Sequence, residues 1–321
     1  MLKNTILFLT TTLFLFCFLE VKGQESSSQS CDCYERLREL STYYTSQGSH
    51  KKSLEVYRQA LNFAKITKPY DYYYLATLMA ANGECIMAKE YLSMAIVKGY
   101  DLTYIPYDRN LPTCLATTGE AWKQFLEKVK ISNKNTALNL DFEYLKALYD
   151  IRGSDQTIRR LIKVPQETYA LLDSINFDRL KKLIDEKGYP DYQKHGFEDP
   201  QAAYLVLVHA TRYDEKMYKE VMSILKTANE EGNIRGYQIA QMIDERTSNI
   251  LKAEQILGTW NNYGAKEFKP IAQPQSVDSL RFEYNLLRLK EQAKLENRQL
   301  PQGYLPIPYP EDYFCGYEFD Q

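Results

Sequence analysis

Histidine is scarce in this chain. Only His50, His195 and His209 occur among 321 residues. With no H-E-x-x-H or other paired-histidine pattern, the usual basis for a zinc site is missing. No G-x-S-x-G turn occurs, and no cysteine stands in a papain-like context, so the motifs of activated-serine and activated-cysteine hydrolases are absent. No run alternates cleanly with period two, which argues against sheet. After the N-terminal leader, no segment approaches the roughly 20 apolar residues that a membrane helix requires. An excess of either charge is missing too: 40 Lys and Arg stand against 42 Asp and Glu, a formal net charge of −2. That near balance excludes both a basic nucleic-acid arm and a disordered polyanion. We expect no metal, no cofactor and no nucleic-acid partner.

What is present points to a folded, exported chain. A hydrophobic share of 44% with 13% aromatics is enough for sizeable cores. The opening MLKNTILFLTTTLFLFCFLEVKG reads as a signal peptide. Lys3 supplies the positive start, Ile6 to Leu19 the apolar stretch, and Val21 and Gly23 the small residues before a cut at Gln24. Residues 1–23 are therefore the leader and 24–33 a linker, and the expected location is periplasmic or extracellular. Loss of Cys17 with the leader leaves Cys31, Cys33, Cys85, Cys114 and Cys315. An odd number leaves one thiol unpaired or pairs it with another chain. Cys85 with Cys114 is the favoured disulfide, since both fall in one folded unit. Cys31-Asp-Cys33 is too closely spaced for the usual metal or redox pair.

Two segments of the first third repeat. LRELSTYYTSQGSHKKSLEVYRQALNFA aligns with YYYLATLMAANGECIMAKEYLSMAIVKG, with Gly48 and Gly83 35 residues apart. Leu40 matches Leu75, Tyr57 matches Leu92, Ala60 matches Ala95, and Ser53 and Ala88 are both small. Each unit reads as helix, glycine turn, helix. This pattern resembles the tetratricopeptide repeat, whose period is about 34 residues. The resemblance implies a protein or peptide partner held in a groove. Two units are too few to stand alone, so a helix from about Gly119 to Lys130, presenting Trp122, Phe125 and Val129, is expected to cap them. The unit spans residues 34–131.

From residue 132 to 299 the chain reads as a second helical domain, and the whole as all-α. DPQAAYLVLVHAT opens with Asp199 and Pro200, residues suited to a helix start. VDSLRFEYNLLRLKEQAKLE reads as one long final helix. The ordered motifs DQTIRRL, KGYP, LVHA, MIDER, QILGT and VDSLR are similar to those of a bacterial helical domain family of unknown function. The matching positions are Asp155, Gln156, Arg159, Gly188, Pro190, His209, Asp244, Arg246, Gln255, Gly258, Thr259, Asp278 and Arg281. Tyr189, Val208, the extra Glu245 and Trp260 depart from that pattern. No activity is implied.

His209 ends an apolar run, and its spacing from Leu205 and Ala202 puts it on an apolar helix face. Such an imidazole needs a hydrogen-bond partner. The motif order nominates Asp244 first and Asp155 second. In one reading the pair ties two helices together. In the other Asp244 orients His209 as a general base of a hydrolase, beside a loop of Gln255, Gly258 and Thr259 that offers donors to a substrate oxygen. Arg246, Asp155, Gln156 and Arg159 are further ligand-binding candidates. The Pro- and aromatic-rich tail, residues 300–321, is expected to lie extended over the helices, with an intermolecular strap through Cys315 as the alternative. The leading expectation is a binding or scaffolding protein that acts through the repeat groove or its junction with the helical domain.

Overall fold

A computed structural model describes residues 32–64, 67–100, 111, 114, 119–133, 141–161, 163–191, 199–262 and 264–319. The leader, Cys31, His195 and residues 134–140 lie outside them. Among the described residues the fold is all-α, with two isolated β-bridges and no strand. No helix among them is long and apolar enough to cross a membrane.

Four helices form two hairpins in the first part: α1 (32–46), α2 (His50–Leu61), α3 (Pro69–Ala81) and α4 (Cys85–Val97). Gly48 and Gly83 make the two turns at φ +71° and +78°, a region that favours glycine. At the point where α1 and α2 approach, Ser41 Oγ donates to Ser53 O at 2.9 Å, and both side chains are fully buried. α5 (Gly119–Asn133) closes the array, with Trp122, Phe125 and Val129 against the Leu78–Leu92 core. Cys85 is bonded to Cys114.

The second part begins with α6 (Phe142–Arg159), α7 (Gln166–Lys187) and α8 (Asp199–Ala210), each in contact with the other two. Each of the clear boundaries has a local cause. Asp141 accepts from Tyr144 N to cap α6, and Gly188 at φ +86° ends α7. Asp214 accepts from Met217 N to start α9 (Glu215–Glu230). α10 (Gly236–Glu245) runs on as one π-turn, Arg246–Ile250. Leu148, Phe177, Leu180, Leu207, Val221 and Leu225 are at the centre of this core.

The expected single final helix is two short ones, α11 (Val277–Phe282) and α12 (Leu289–Glu296). Residues 283–288 turn at Asn285, which sits at φ +58°, and side-chain bonds to the backbone hold the turn. Asp278 Oδ1 accepts from Leu289 N at 2.7 Å, and Arg281 Nε donates to Leu287 O at 2.7 Å.

The tail folds back onto the first hairpin. Tyr313 and Phe314 are buried with Tyr34, Leu37, Val56 and Leu287. Cys315 is bonded to Cys33, with Cα atoms 5.8 Å apart. This overturns the alternative in which Cys315 pairs with another chain, and it agrees with the reading that Cys31 and Cys33 do not act as a pair.

Candidate functional site

His209 is on α8 with 7% exposure, on the inward face its spacing requires. Its Nδ1 lies 3.0 Å from both carboxylate oxygens of Asp155, which is fully buried on α6. Gln156 Nε2 donates to Asp155 Oδ2 at 2.6 Å. Arg159 bridges two acids, with Nη1 3.1 Å from Asp155 Oδ1 and Nη2 2.6 Å from Asp173 Oδ1 on α7. Asp173 Oδ2 and both amide atoms of Asn176 are buried without hydrogen-bond partners. Burial pushes the Asp173 carboxyl up, and its bond to Arg159 opposes that. The structure thus gathers His209, Asp155, Gln156 and Arg159 into one network between three helices.

Asp244 is not part of it, and the expected His209–Asp244 pair does not form. Asp244 is fully buried on α10 and faces the 255–260 loop. Its Oδ1 accepts from Ile256 N at 2.7 Å and Leu257 N at 2.9 Å; its Oδ2 accepts from Thr259 N at 2.7 Å and Thr259 Oγ1 at 2.8 Å. Four donors leave this carboxylate no capacity to orient an imidazole.

The loop residues expected to meet a substrate are likewise turned inward. Gln255 Nε2 donates to Lys269 O at 2.8 Å and its Oε1 accepts from Trp260 N at 3.1 Å. Gly258 sits at φ +72°, where a Cβ would come within 2.8 Å of Leu289 Cδ1. Arg246 donates from Nε to Thr211 O and from Nη2 to Glu215, and it covers the Tyr218 ring at 4.4 Å. Arg281 Nη1 donates to Leu257 O at 2.6 Å, joining α11 to the same loop. These residues make a buried polar frame for the helix-poor end of the domain.

A different place has an open cleft. It lies where the first hairpin meets the second part, has a volume of about 300 Å³, and takes side chains from α1, the start of α3, α8 and the start of α10. α1 contributes Tyr34 and Arg38, the α3 start contributes Lys68, Tyr70 and Asp71, and α10 contributes Arg235 and Gln238. None of these was nominated from sequence.

The walls are fixed by buried bonds. Asp71 Oδ1 accepts from Tyr34 Oη at 2.5 Å and Tyr57 Oη at 2.6 Å, and its Oδ2 accepts from Lys68 N at 2.6 Å. Burial and the neighbouring Asp71 charge push both phenols well above their ordinary value, so both are donors. Across the junction Glu35 Oε2 accepts from Gly236 N at 2.8 Å, and Arg235 Nη2 donates to Glu39 at 2.9 Å. Gly236 is required there, because a Cβ would meet Tyr284 O at 2.2 Å. Lys68 is 7% exposed, and burial pushes its amine down to about 8 against the pull of Asp71. Arg38 is 9% exposed, with its guanidinium 5.1 Å from the Tyr70 ring centre. It makes no ion pair among the described residues.

No family model matches the chain, and neither a curated protein nor a solved structure matches it. Among the described residues no group of three or more His, Cys, Asp or Glu side chains is placed to hold a metal ion.

Proposed function

We propose that this is an exported binding protein that holds a protein or peptide partner at the junction between a tetratricopeptide-like hairpin array and a helical domain. The observation that carries the reading is the cleft itself. Four elements from both parts converge on an open, polar-lined space, while the His209 network is sealed between helices. Clefts at junctions between folded units are common places for ligands. The repeat pattern supports a partner-binding role over a chemical one. The pairings Cys33–Cys315 and Cys85–Cys114 support an oxidising compartment.

A photo-reactive residue at Gln241, in the cleft lining, tests this against one at Lys182, whose side chain is 78% exposed on α7. In cells making the full-length chain, the Gln241 probe is expected to give one discrete adduct and the Lys182 probe none. No adduct from Gln241, or the same adduct from both, rejects the reading. The compartment is tested by alkylating intact cells before and after reduction, with Cys33 and Cys315 expected to react only after reduction.

A further inference from the structure

The chemistry of the cleft specifies what kind of group it receives. Three cationic side chains line it, Arg38, Lys68 and Arg235, against one carboxylate, Asp71. Asp71 keeps its charge while it accepts from two phenols and a backbone amide, so within the lining one carboxylate stands against three cations. The other nearby acids are turned away from the space. Glu35 is committed to Gly236 N and Glu39 to Arg235, and neither lines the cleft.

Arg38 is the decisive residue. Burial opposes the charge of its guanidinium, and the neighbouring Tyr34, Tyr57, Tyr70 and Glu39 outweigh that and hold it charged. The Tyr70 ring lies at cation–π distance, 5.1 Å from the guanidinium, and the Tyr70 phenol hydrogen-bonds with Arg38. Its fork of donors is the shape that recognises a two-oxygen anion. Gln238 and Gln201, which are hydrogen-bonded to each other at 3.0 Å, add neutral amides to the lining.

We propose that the cleft is a receptor for an oxyanion, a carboxylate or phosphate group carried by the bound partner, with Arg38 as its principal ligand and Lys68 and Arg235 beside it. This rests on the cleft being the binding site. The receptor requires both parts of the chain, since Arg38 and Lys68 come from the first and Arg235 from the second. Lys68 is sensitive to the same anion. Its amine is neutralised more easily than an ordinary lysine's, and a bound anion holds it in the charged form.

The test is calorimetric titration of the full-length oxidised protein with pentaglutamate, pentaglutamine and inorganic phosphate. Pentaglutamate or phosphate is expected to bind at least tenfold more tightly than pentaglutamine. Arg38→Met and Arg235→Gln should each weaken that binding tenfold or more, and Lys182→Met should leave it unchanged. Circular dichroism establishes that each variant is folded, and Arg235→Gln serves if Arg38→Met is not. Preference for pentaglutamate assigns the site to a peptide carboxylate, and binding of phosphate alone assigns it to phosphate. Equal binding of pentaglutamine, binding indifferent to both arginine variants, or no binding of either anion overturns the proposal. If the Gln241 adduct still forms in that last case, the cleft binds an uncharged group and only the anion assignment falls.

Discussion

At the residue scale, the polar residues that first attract notice bond to the fold's own helices and loops. Asp244 shows how. A carboxylate receiving four hydrogen bonds fixes the loop that carries Gln255, Gly258 and Thr259. Asp244→Ala would leave three amides and one hydroxyl without their acceptor, at about 1–3 kcal/mol for each buried group that water cannot reach. We expect a loss of about 3–5 kcal/mol in urea unfolding, with hydrogen-exchange protection lost first at Ile256, Leu257 and Thr259. His209→Ala is expected to lower stability by about 3 kcal/mol, because it leaves Asp155 with Gln156 and Arg159 alone. The inward placement of His209 was legible from spacing. Its partner was not, because Asp155 and Asp244 both belong to the matched motifs and only the packing of α6 on α8 chooses between them.

Lys68 gives a pH test at the same scale. Asp71, Glu35, Arg38, Arg235 and Tyr34 surround it, and burial dominates, bringing the amine to about 8. Above that pH the folded chain releases the proton while the unfolded chain keeps it, so stability rises with pH. The window closes near pH 10, where unfolded tyrosines ionise while Tyr34 and Tyr57 are held protonated. Between about pH 8 and 9.5, unliganded protein should gain stability relative to Lys68→Met. A parallel pH dependence in the two proteins would show that the amine is not perturbed.

At the element scale, two contacts hold the cleft's walls in register. Gly236 opens α10 against Tyr284 O and donates to Glu35. Gly236→Ala is expected to cost about 1–3 kcal/mol through overpacking and to weaken the Glu35 contact, which reduces ligand capture beyond the stability loss. The tail is the second contact. Reduction of Cys33–Cys315 opens a loop whose ends are 282 residues apart. It should lower stability by about 2–5 kcal/mol and make the Tyr309–Tyr317 segment the first site of proteolysis. Most helices were readable because their signals are local: Gly48, Gly83 and Gly188 at turns and stops, and Asp199-Pro200 at a start. The break between α11 and α12 was not, because side-chain bonds to the backbone set it and no Gly or Pro marks it. Asp278 reaches Leu289 N, and Arg281 reaches Leu257 O. Asn285, at φ +58°, is the local trace of the stop in VDSLRFEYNLLRLK.

At the scale of the whole molecule, the all-α class and the capped array followed from periodicity. The junction was one of two regions expected from sequence to bind a partner, without its residues. Arg38, Lys68 and Arg235 come from three separate stretches of chain, and no spacing rule connects them; only the fold brings them to one space. Lys68, three residues before Asp71, leaves a weak trace as a helix start, but its burial cannot be read from YDYYY.

The central claim is that this protein acts through the junction cleft and not through the His209 network. Formation of the Gln241 photo-adduct, compared in folded His209→Ala and folded Arg38→Met chains, tests it most directly. The account predicts an adduct retained in His209→Ala and reduced at least tenfold in Arg38→Met. An adduct retained in Arg38→Met and lost in folded His209→Ala would contradict it.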